Sequence, residues 1–222
     1  MAEQGKSASK LHEKVPPDWY WRSIKENILQ RFWHSRRFKE VGRLIEPTGG
    51  LLLDIGSADG VFTNVILQHS KAQKIIGIDV LASSVNWANN HWGKGKYTKH
   101  GKLKFMVADA HKLPFSSNYF DAVFALEVLE HVFEPVKVFQ EVKRVLKKNG
   151  YALFLVPSDN FLFKNIVWPL WTRFRGKIWS DTHIQTYNND FLKKMVEETG
   201  FKVLVNQKFI LGMLNVVKVM KV

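Results

Sequence analysis

The chain contains no cysteine. That excludes a disulfide framework, a Cys-ligated zinc or iron–sulfur site and a thiol nucleophile. It has no long apolar run either. The most apolar stretch, Phe161 to Trp171, is interrupted by Lys164 and Pro169 and is too short to span a bilayer. The stretch Met1 to Lys14 is polar and lysine-bearing, unlike a secretory leader. Acidic residues are scarce: 20 Asp and Glu stand against 33 Lys and Arg, a formal charge of +13. There is no repeat and no low-complexity tract. These absences point to a cytoplasmic protein, with a peripheral place on a membrane left open. The charge suits an acidic partner, whether nucleic acid, an anionic lipid surface or an acidic substrate, and equally suits simple solubility. Its densest sets are Arg31, Arg36, Arg37 and Lys39; Lys94, Lys96, Lys99 and Lys102; and Arg173, Arg175 and Lys177.

What is present fits one globular domain. The length is 222 residues and the hydrophobic fraction 45%, enough to bury a core without staples. We expect residues 1–14 to be a disordered tail and 15–222 a single domain. Apolar residues recur at helical spacing from Ile24 to Ile45, which predicts one amphipathic helix, or two with a bend, over 15–46. Leu51–Ile55 and Lys74–Asp79 read as buried parallel strands. Leu103–Ala108, Phe120–Leu126 and Tyr151–Val156 follow as further strands. Helices are expected at Val61–His69, Ala82–Trp92, Pro135–Leu146 and Asp190–Thr199. Two final strands fall near Phe201–Lys208 and Asn215–Met220. Strand and helix alternate, so the expected fold is α/β: a Rossmann-like, seven-stranded, mostly parallel sheet with helices on both faces and the last strand antiparallel.

In such sheets ligands bind beyond the carboxyl ends of the strands. The first strand runs into Asp54-Ile55-Gly56-Ser57-Ala58-Asp59-Gly60, where glycine permits a tight turn and close backbone approach and the next helix offers free N–H groups. The second strand ends at Asp79, followed by Val80, where a carboxylate can accept from two ribose hydroxyls. The third ends at Asp109-Ala110, where a carboxylate can accept from an exocyclic amine. A dinucleotide fingerprint would need a closing glycine where Val61 stands. The plainer alternative makes these acids helix caps and turn formers.

The pattern Asp54-x-Gly56-x-Ala58-x-Gly60, then Asp79, then Asp109, resembles the class I S-adenosylmethionine-dependent methyltransferases of the type 11 kind. Phe120-Asp121-Ala122-Val123 and Leu146-Lys147-Lys148-Asn149-Gly150 extend the resemblance, as the fourth strand and the turn before the fifth. It implies that S-adenosylmethionine is the cofactor. It also implies that Gly56 and Gly60 hold its methionine part, Asp79 its ribose and Asp109 its adenine amine. Asp54, Ser57, Val80, Ala110 and Leu126 complete the expected cofactor set. The family usually has glycine where Ala58 stands.

After the fourth strand comes Leu126-Glu127-Val128-Leu129-Glu130-His131-Val132. Glu127, Glu130 and His131 are about one helical turn apart and could face one cavity. His131 is the candidate general base, since its ordinary pKa lies near neutrality, with a glutamate to orient it. A cap and a backbone-bonded histidine are the plainer alternative. The segment is similar to that of polyprenyl-quinone O-methyltransferases, in which the matching residues are associated with a divalent metal. Two carboxylates and an imidazole are reasonable ligands, although our reading assigns no metal ligand. His183 is placed on the acceptor wall by the same resemblance.

The acceptor should be chosen by the helical lid, 15–46, and by an insertion at 159–182. The insertion carries Phe161, Phe163, Trp168, Trp171, Phe174 and Trp179 among basic residues. We expect a small-molecule or lipid-like acceptor, methylated at oxygen or nitrogen, with an anionic membrane surface as a partner. RNA is a less favoured acceptor. A non-catalytic, cofactor-binding partner subunit is the remaining alternative.

Overall fold

The computed structural model describes residues 10, 12–13, 15–93, 101–158, 160–174, 184–187 and 190–222. The chain begins with two helices, α1 (Trp19–Glu26) and α2 (Ile28–Leu44). They are separated at Asn27, whose extended backbone leaves the helix and whose side chain accepts from the N–H groups of Leu29 and Gln30 at 2.9 and 3.0 Å. Asparagine is a preferred N-cap for this reason, so the bend is written at a single residue.

There follow β1 (Leu51–Ile55), α3 (Val61–His69), β2 (Lys74–Asp79), α4 (Ala82–Trp92), β3 (Leu103–Val107) and β4 (Phe120–Leu126). A 3-10 turn at Leu129–His131 leads to α5 (Pro135–Val145) and β5 (Leu146–Pro157). A π-helical turn, Phe163–Val167, runs into α6 (Trp168–Phe174). The chain closes with α7 (Phe191–Glu198), β6 (Lys202–Phe209) and β7 (Leu214–Met220). The expected elements are thus present. Two details differ. Residues 160–174, without a clean period in sequence, are largely helical. And β5 starts at Leu146, with Asn149 in the left-handed region, so the expected turn before it is part of an irregular strand.

The sheet order is β3-β2-β1-β4-β5-β7-β6. All pairs are parallel except those of β7, which runs antiparallel to both β5 and β6. The chain direction across the sheet reverses between β1 and β4, so a crevice opens beyond the carboxyl ends of the central strands. Alternation along each strand divides the core in two. Leu53, Ile55, Val123 and Phe154 pack under α5 and α7, while Leu52, Ile75, Phe124 and Leu155 pack under α2, α3 and α4. Each fully buried Leu or Phe contributes roughly 1.5–3 kcal/mol, so the double core fixes the strand ends firmly.

The turn after β1 is under steric constraint. Gly60 has φ +77, and a Cβ there would lie 2.7 Å from Trp92 and 2.8 Å from Phe105. Ala58, at φ +44, occupies the left-handed region without being glycine. Gly60→Ala should therefore cost about 2–4 kcal/mol, from left-handed strain plus overpacking. Ala58→Gly should be neutral or stabilising by up to about 1 kcal/mol. Urea unfolding with an unchanged m-value checks both. A Gly60→Ala loss below about 0.5 kcal/mol would contradict the packing described.

Candidate active site

A cavity opens where the crevice is expected. Its lining includes Gly56, Ser57, Ala58 and Asp59 after β1, Asp79 and Val80 after β2, Asp109 and Ala110 after β3, and Leu126, Glu127 and His131 after β4. The loop after β1 comes close to the segment after β4: a Cβ on Gly56 (φ +68) would meet the Val128 side chain at 2.2 Å. Gly56 is needed for that approach, not only for a ligand.

Asp79 lies at the junction. It accepts from the N–H of Ala58 at 3.0 Å and of Leu81 at 2.9 Å, which ties the β1 turn to the β2 turn. Each of its oxygens takes one bond there, and an ionised carboxylate has about four acceptor positions, so it can still receive ribose hydroxyls. Burial raises its pKa, opposed by those N–H donors. Asp109 holds His111, accepting on Oδ1 from the His111 N–H at 2.9 Å and lying 2.7 Å from Nδ1. Its Oδ2 is buried with no hydrogen-bond partner among the described residues, and the same is true of Ser57 Oγ. Orphaned acceptors of this kind are costly unless a ligand completes them. Both residues line the cavity, so the site fits a nucleoside bearing an exocyclic amine and hydroxyls.

Two expected cofactor residues do not line this cavity. Asp54 points to the α3 side of the sheet, where Thr63 Oγ1 donates to it at 2.5 Å. Strand alternation places 53 and 55 on one face and 54 on the other, so Asp54 braces the loop from beneath. Gly60 packs against Trp92 and Phe105 instead of the cavity.

The N-terminal helices are fastened by contacts that the sequence reading missed. Asp59, 1% exposed, accepts from the Trp21 N–H at 2.8 Å, and burial pushes its pKa up to about 7. Trp21 itself packs on His91 and Trp92 of α4, with ring centroids 4.4 and 5.5 Å apart. The acidic residue in a glycine turn beside an aromatic segment was the available signal. His12, within the expected tail, lines the cavity and packs edge-on against His131 at 4.6 Å.

A second cavity adjoins the first. Trp19, Tyr20, Leu29, Trp33, His34 and Arg37 of the lid line one side, and Pro157, Phe163, Val167 and Trp168 another. Glu127, Glu130 and His131 line it too, so the structure brings the three candidate catalytic residues together. Trp19, Tyr20, Glu127 and His131 border both cavities. The three do not stand on one regular helix: Glu127 is in the left-handed region at φ +59, and only Leu129–His131 forms a helical turn. That turn is clamped by Ile184 and Gln185, whose N–H groups donate to the Glu130 carbonyl, and by the Tyr187 hydroxyl, which donates to that of Leu129. His131 Nε2 lies 4.0 Å from Glu130 Oε1. Glu127 is ion-paired with Arg37. Among the described residues no group of three His, Asp or Glu is arranged to hold a metal. His183, Arg175, Lys177 and Trp179 fall outside the described residues.

Asp54 offers a check on this geometry. Burial pushes its pKa up to about 7, against the opposing Thr63 hydrogen bond. Because that lies above the unfolded value of about 3.9, Asp54 favours the folded state fully below pH 4 and loses that contribution as pH rises through 7. Asp54→Asn keeps an acceptor for Thr63 but cannot ionise. The variant should gain stability relative to the parent between pH 5 and pH 8, by on the order of 1–3 kcal/mol. A difference that does not change with pH would contradict the buried placement of Asp54.

Residues 53–154 match the methyltransferase domain family. An uncharacterized methyltransferase of Schizosaccharomyces pombe is 31% identical over 104 residues, 46% of this chain and 37% of that protein, so the chain spans well under half of that relative. The demethylmenaquinone methyltransferase of Thermotoga maritima is 26% identical over 215 residues, 89% of each chain. Among solved structures, the [4+2]-cyclase SpnF superposes with a TM-score of 0.76 at 17% identity, covering 100% of this chain and 97% of its own. That last likeness concerns the fold alone. The sheet order and the crevice at its switch point accord with these matches, in which residues 53–154 resemble a methyltransferase domain.

Proposed function

We propose that this protein methylates a small, largely apolar or lipid-like acceptor at oxygen or nitrogen, holding S-adenosylmethionine in the first cavity and the acceptor in the second. The observation that carries this reading is the shared wall. His131 and Glu127 border both cavities, so a group held in one is presented to the other. S-adenosylmethionine, when bound, supplies an electrophilic methyl group on a sulfonium. The chain's own task is then to align the acceptor, exclude water and take a proton. In this reading Gly56 and Ser57 hold the methionine part, Asp79 the ribose and Asp109 the adenine amine. His131 receives the acceptor's proton, and Glu130 stabilises the imidazolium.

The apolar character of the acceptor rests on the second cavity's aromatic lining of Trp19, Tyr20, Trp33, Phe163 and Trp168. Around it, Ile28, Leu29 and Phe32 of α2 and Phe161, Ile166 and Leu170 of the insertion are exposed, from 51 to 78%. Residues 27–39 and 160–174 contain no Asp or Glu, while Arg31, Arg36, Lys164 and Arg173 stand among them. Exposed apolar side chains rimmed by cations suit a site that takes its acceptor from an anionic lipid surface. The named substrate of the Thermotoga relative, demethylmenaquinone, is in keeping with that. No helix among the described residues is long and apolar enough to cross a membrane.

Three outcomes test the reading. Asp79→Ala should weaken S-adenosylmethionine binding at least about tenfold, from the loss of roughly 1.5–3 kcal/mol of ion-to-hydroxyl hydrogen bonding. Unchanged affinity by calorimetry would move the cofactor elsewhere. His131→Ala should lower turnover and leave cofactor affinity nearly intact, and full turnover would leave His131 a structural role. The protein should sediment with anionic vesicles in preference to neutral ones, and Phe32→Ser with Leu170→Ser should abolish this. Tight tRNA binding without vesicle binding would overturn the lipid surface.

A further inference from the structure

We propose that Arg37 is the polar anchor of the second cavity and that the acceptor it selects carries an acidic hydroxyl, of the phenol or enol class, held as its anion. This rests on reading the second cavity as the acceptor site, and it narrows that reading from oxygen or nitrogen to oxygen.

Arg37 lies on α2, outside the matched domain, and points inward with only 4% of its surface exposed. Burial lowers its pKa to about 10, so it keeps its charge at neutral pH. One terminal nitrogen pairs with Glu127. The other lies 2.5 Å from His34 Nδ1. A guanidinium has no acceptor, so His34 must accept there. Burial, with help from Arg37, pushes the His34 pKa down to about 2, which keeps it neutral and able to do so. Arg37 Nε is buried and has no hydrogen-bond partner among the described residues. A buried ion pair adds little net stability over a well-packed apolar pair. A residue held at that cost, in an aromatic cavity, with a donor still to be satisfied, is suited to binding an acceptor of matching chemistry.

The chemistry is restrictive. All five guanidinium N–H groups donate, so the incoming group must bring lone pairs. An ammonium would face repulsion from Arg37, whereas a phenolate or enolate oxygen would be stabilised. The proton has a destination on the same wall. When the hydroxyl O–H bond breaks, its electron pair stays on oxygen and the proton adds to an imidazole nitrogen of His131. The resulting imidazolium is balanced by Glu130, 4.0 Å away. Arg37 and Glu127 already cancel each other, so this transfer leaves the cavity's total charge unchanged. His34, Glu127, Glu130, His131 and Tyr20 are the other titratable groups lining that cavity. The effect is to make an oxygen nucleophile at a pH where the free hydroxyl is still protonated.

The test uses 4-nitrophenol, whose ionisation is visible by absorbance, added to the protein saturated with S-adenosylhomocysteine. 4-Nitroaniline serves as the amine of the same shape. The bound phenol should ionise at least one pH unit lower than in free solution. It should also bind at least tenfold more tightly than the aniline. Arg37→Gln should abolish the shift while S-adenosylhomocysteine affinity stays within threefold, and Arg37→Lys should retain part of it. Glu127→Gln, which frees Arg37, should enlarge it. A purely structural ion pair would lose stability in both variants and move the probe's ionisation in neither. An unshifted phenol on the parent protein, a shift that survives Arg37→Gln, or equal binding of the aniline would each overturn the proposal. Failure of the parent to bind S-adenosylhomocysteine would instead overturn the methyltransferase reading, and calorimetry without the phenol reports that separately.

Discussion

The buried pairing of Arg37 with Glu127 is the contact on which the active-site arrangement turns. It joins a helix of the N-terminal lid to the first residue beyond β4, and it lies on the wall of the second cavity. A charge so deeply buried must be paired. The lid is therefore held against the sheet by electrostatics as well as by packing, and Glu127 is held in a left-handed conformation that the local sequence does not itself favour. Asp59, accepting from the Trp21 N–H, fastens the other lid helix to the turn after β1. Two acids from the sheet thus position the two helices that complete the site.

The cofactor side depends on a different constraint. Parallel strands must all end on one edge, and the reversal between β1 and β4 leaves that edge open where Asp79 and Asp109 emerge. The shared architecture with a [4+2]-cyclase shows that such a sheet does not specify one reaction. What distinguishes chemistries is the set of side chains beyond the strand ends. Here those are an acceptor-lacking guanidinium, an imidazole beside a carboxylate, and an aromatic enclosure.

The strands were legible because buried parallel strands are short continuous apolar runs, and Leu51–Ile55, Lys74–Asp79 and Phe120–Leu126 are clean examples. Asp79 and Asp109 followed from their places at strand ends. Asp54, expected in the cofactor set from its motif, does not line the cavity because the alternation of the strand turns it toward Thr63. Gly60 was assigned to the cofactor, although its lack of a side chain serves Trp92 and Phe105. Arg37 stood out in the sequence only as one of a dense basic set with Arg31, Arg36 and Lys39. Helical periodicity assigns charged positions to solvent, and only a distant partner, 90 residues away at Glu127, draws this one inward. Long-range pairing of that kind leaves no local signal.

The central claim is that a nucleoside cofactor is read at the strand ends, with Asp109 Oδ2 awaiting its exocyclic amine. Calorimetry comparing S-adenosylhomocysteine with its deaminated analogue, S-inosylhomocysteine, tests this on the unaltered protein. The analogue replaces the donor amine by a carbonyl oxygen, which would face the carboxylate as a second acceptor. The account predicts one-to-one binding of S-adenosylhomocysteine and binding of the analogue at least about tenfold weaker, in line with roughly 1.5–3 kcal/mol for a hydrogen bond to a charged group. Equal affinities, or no binding of either compound, would contradict it.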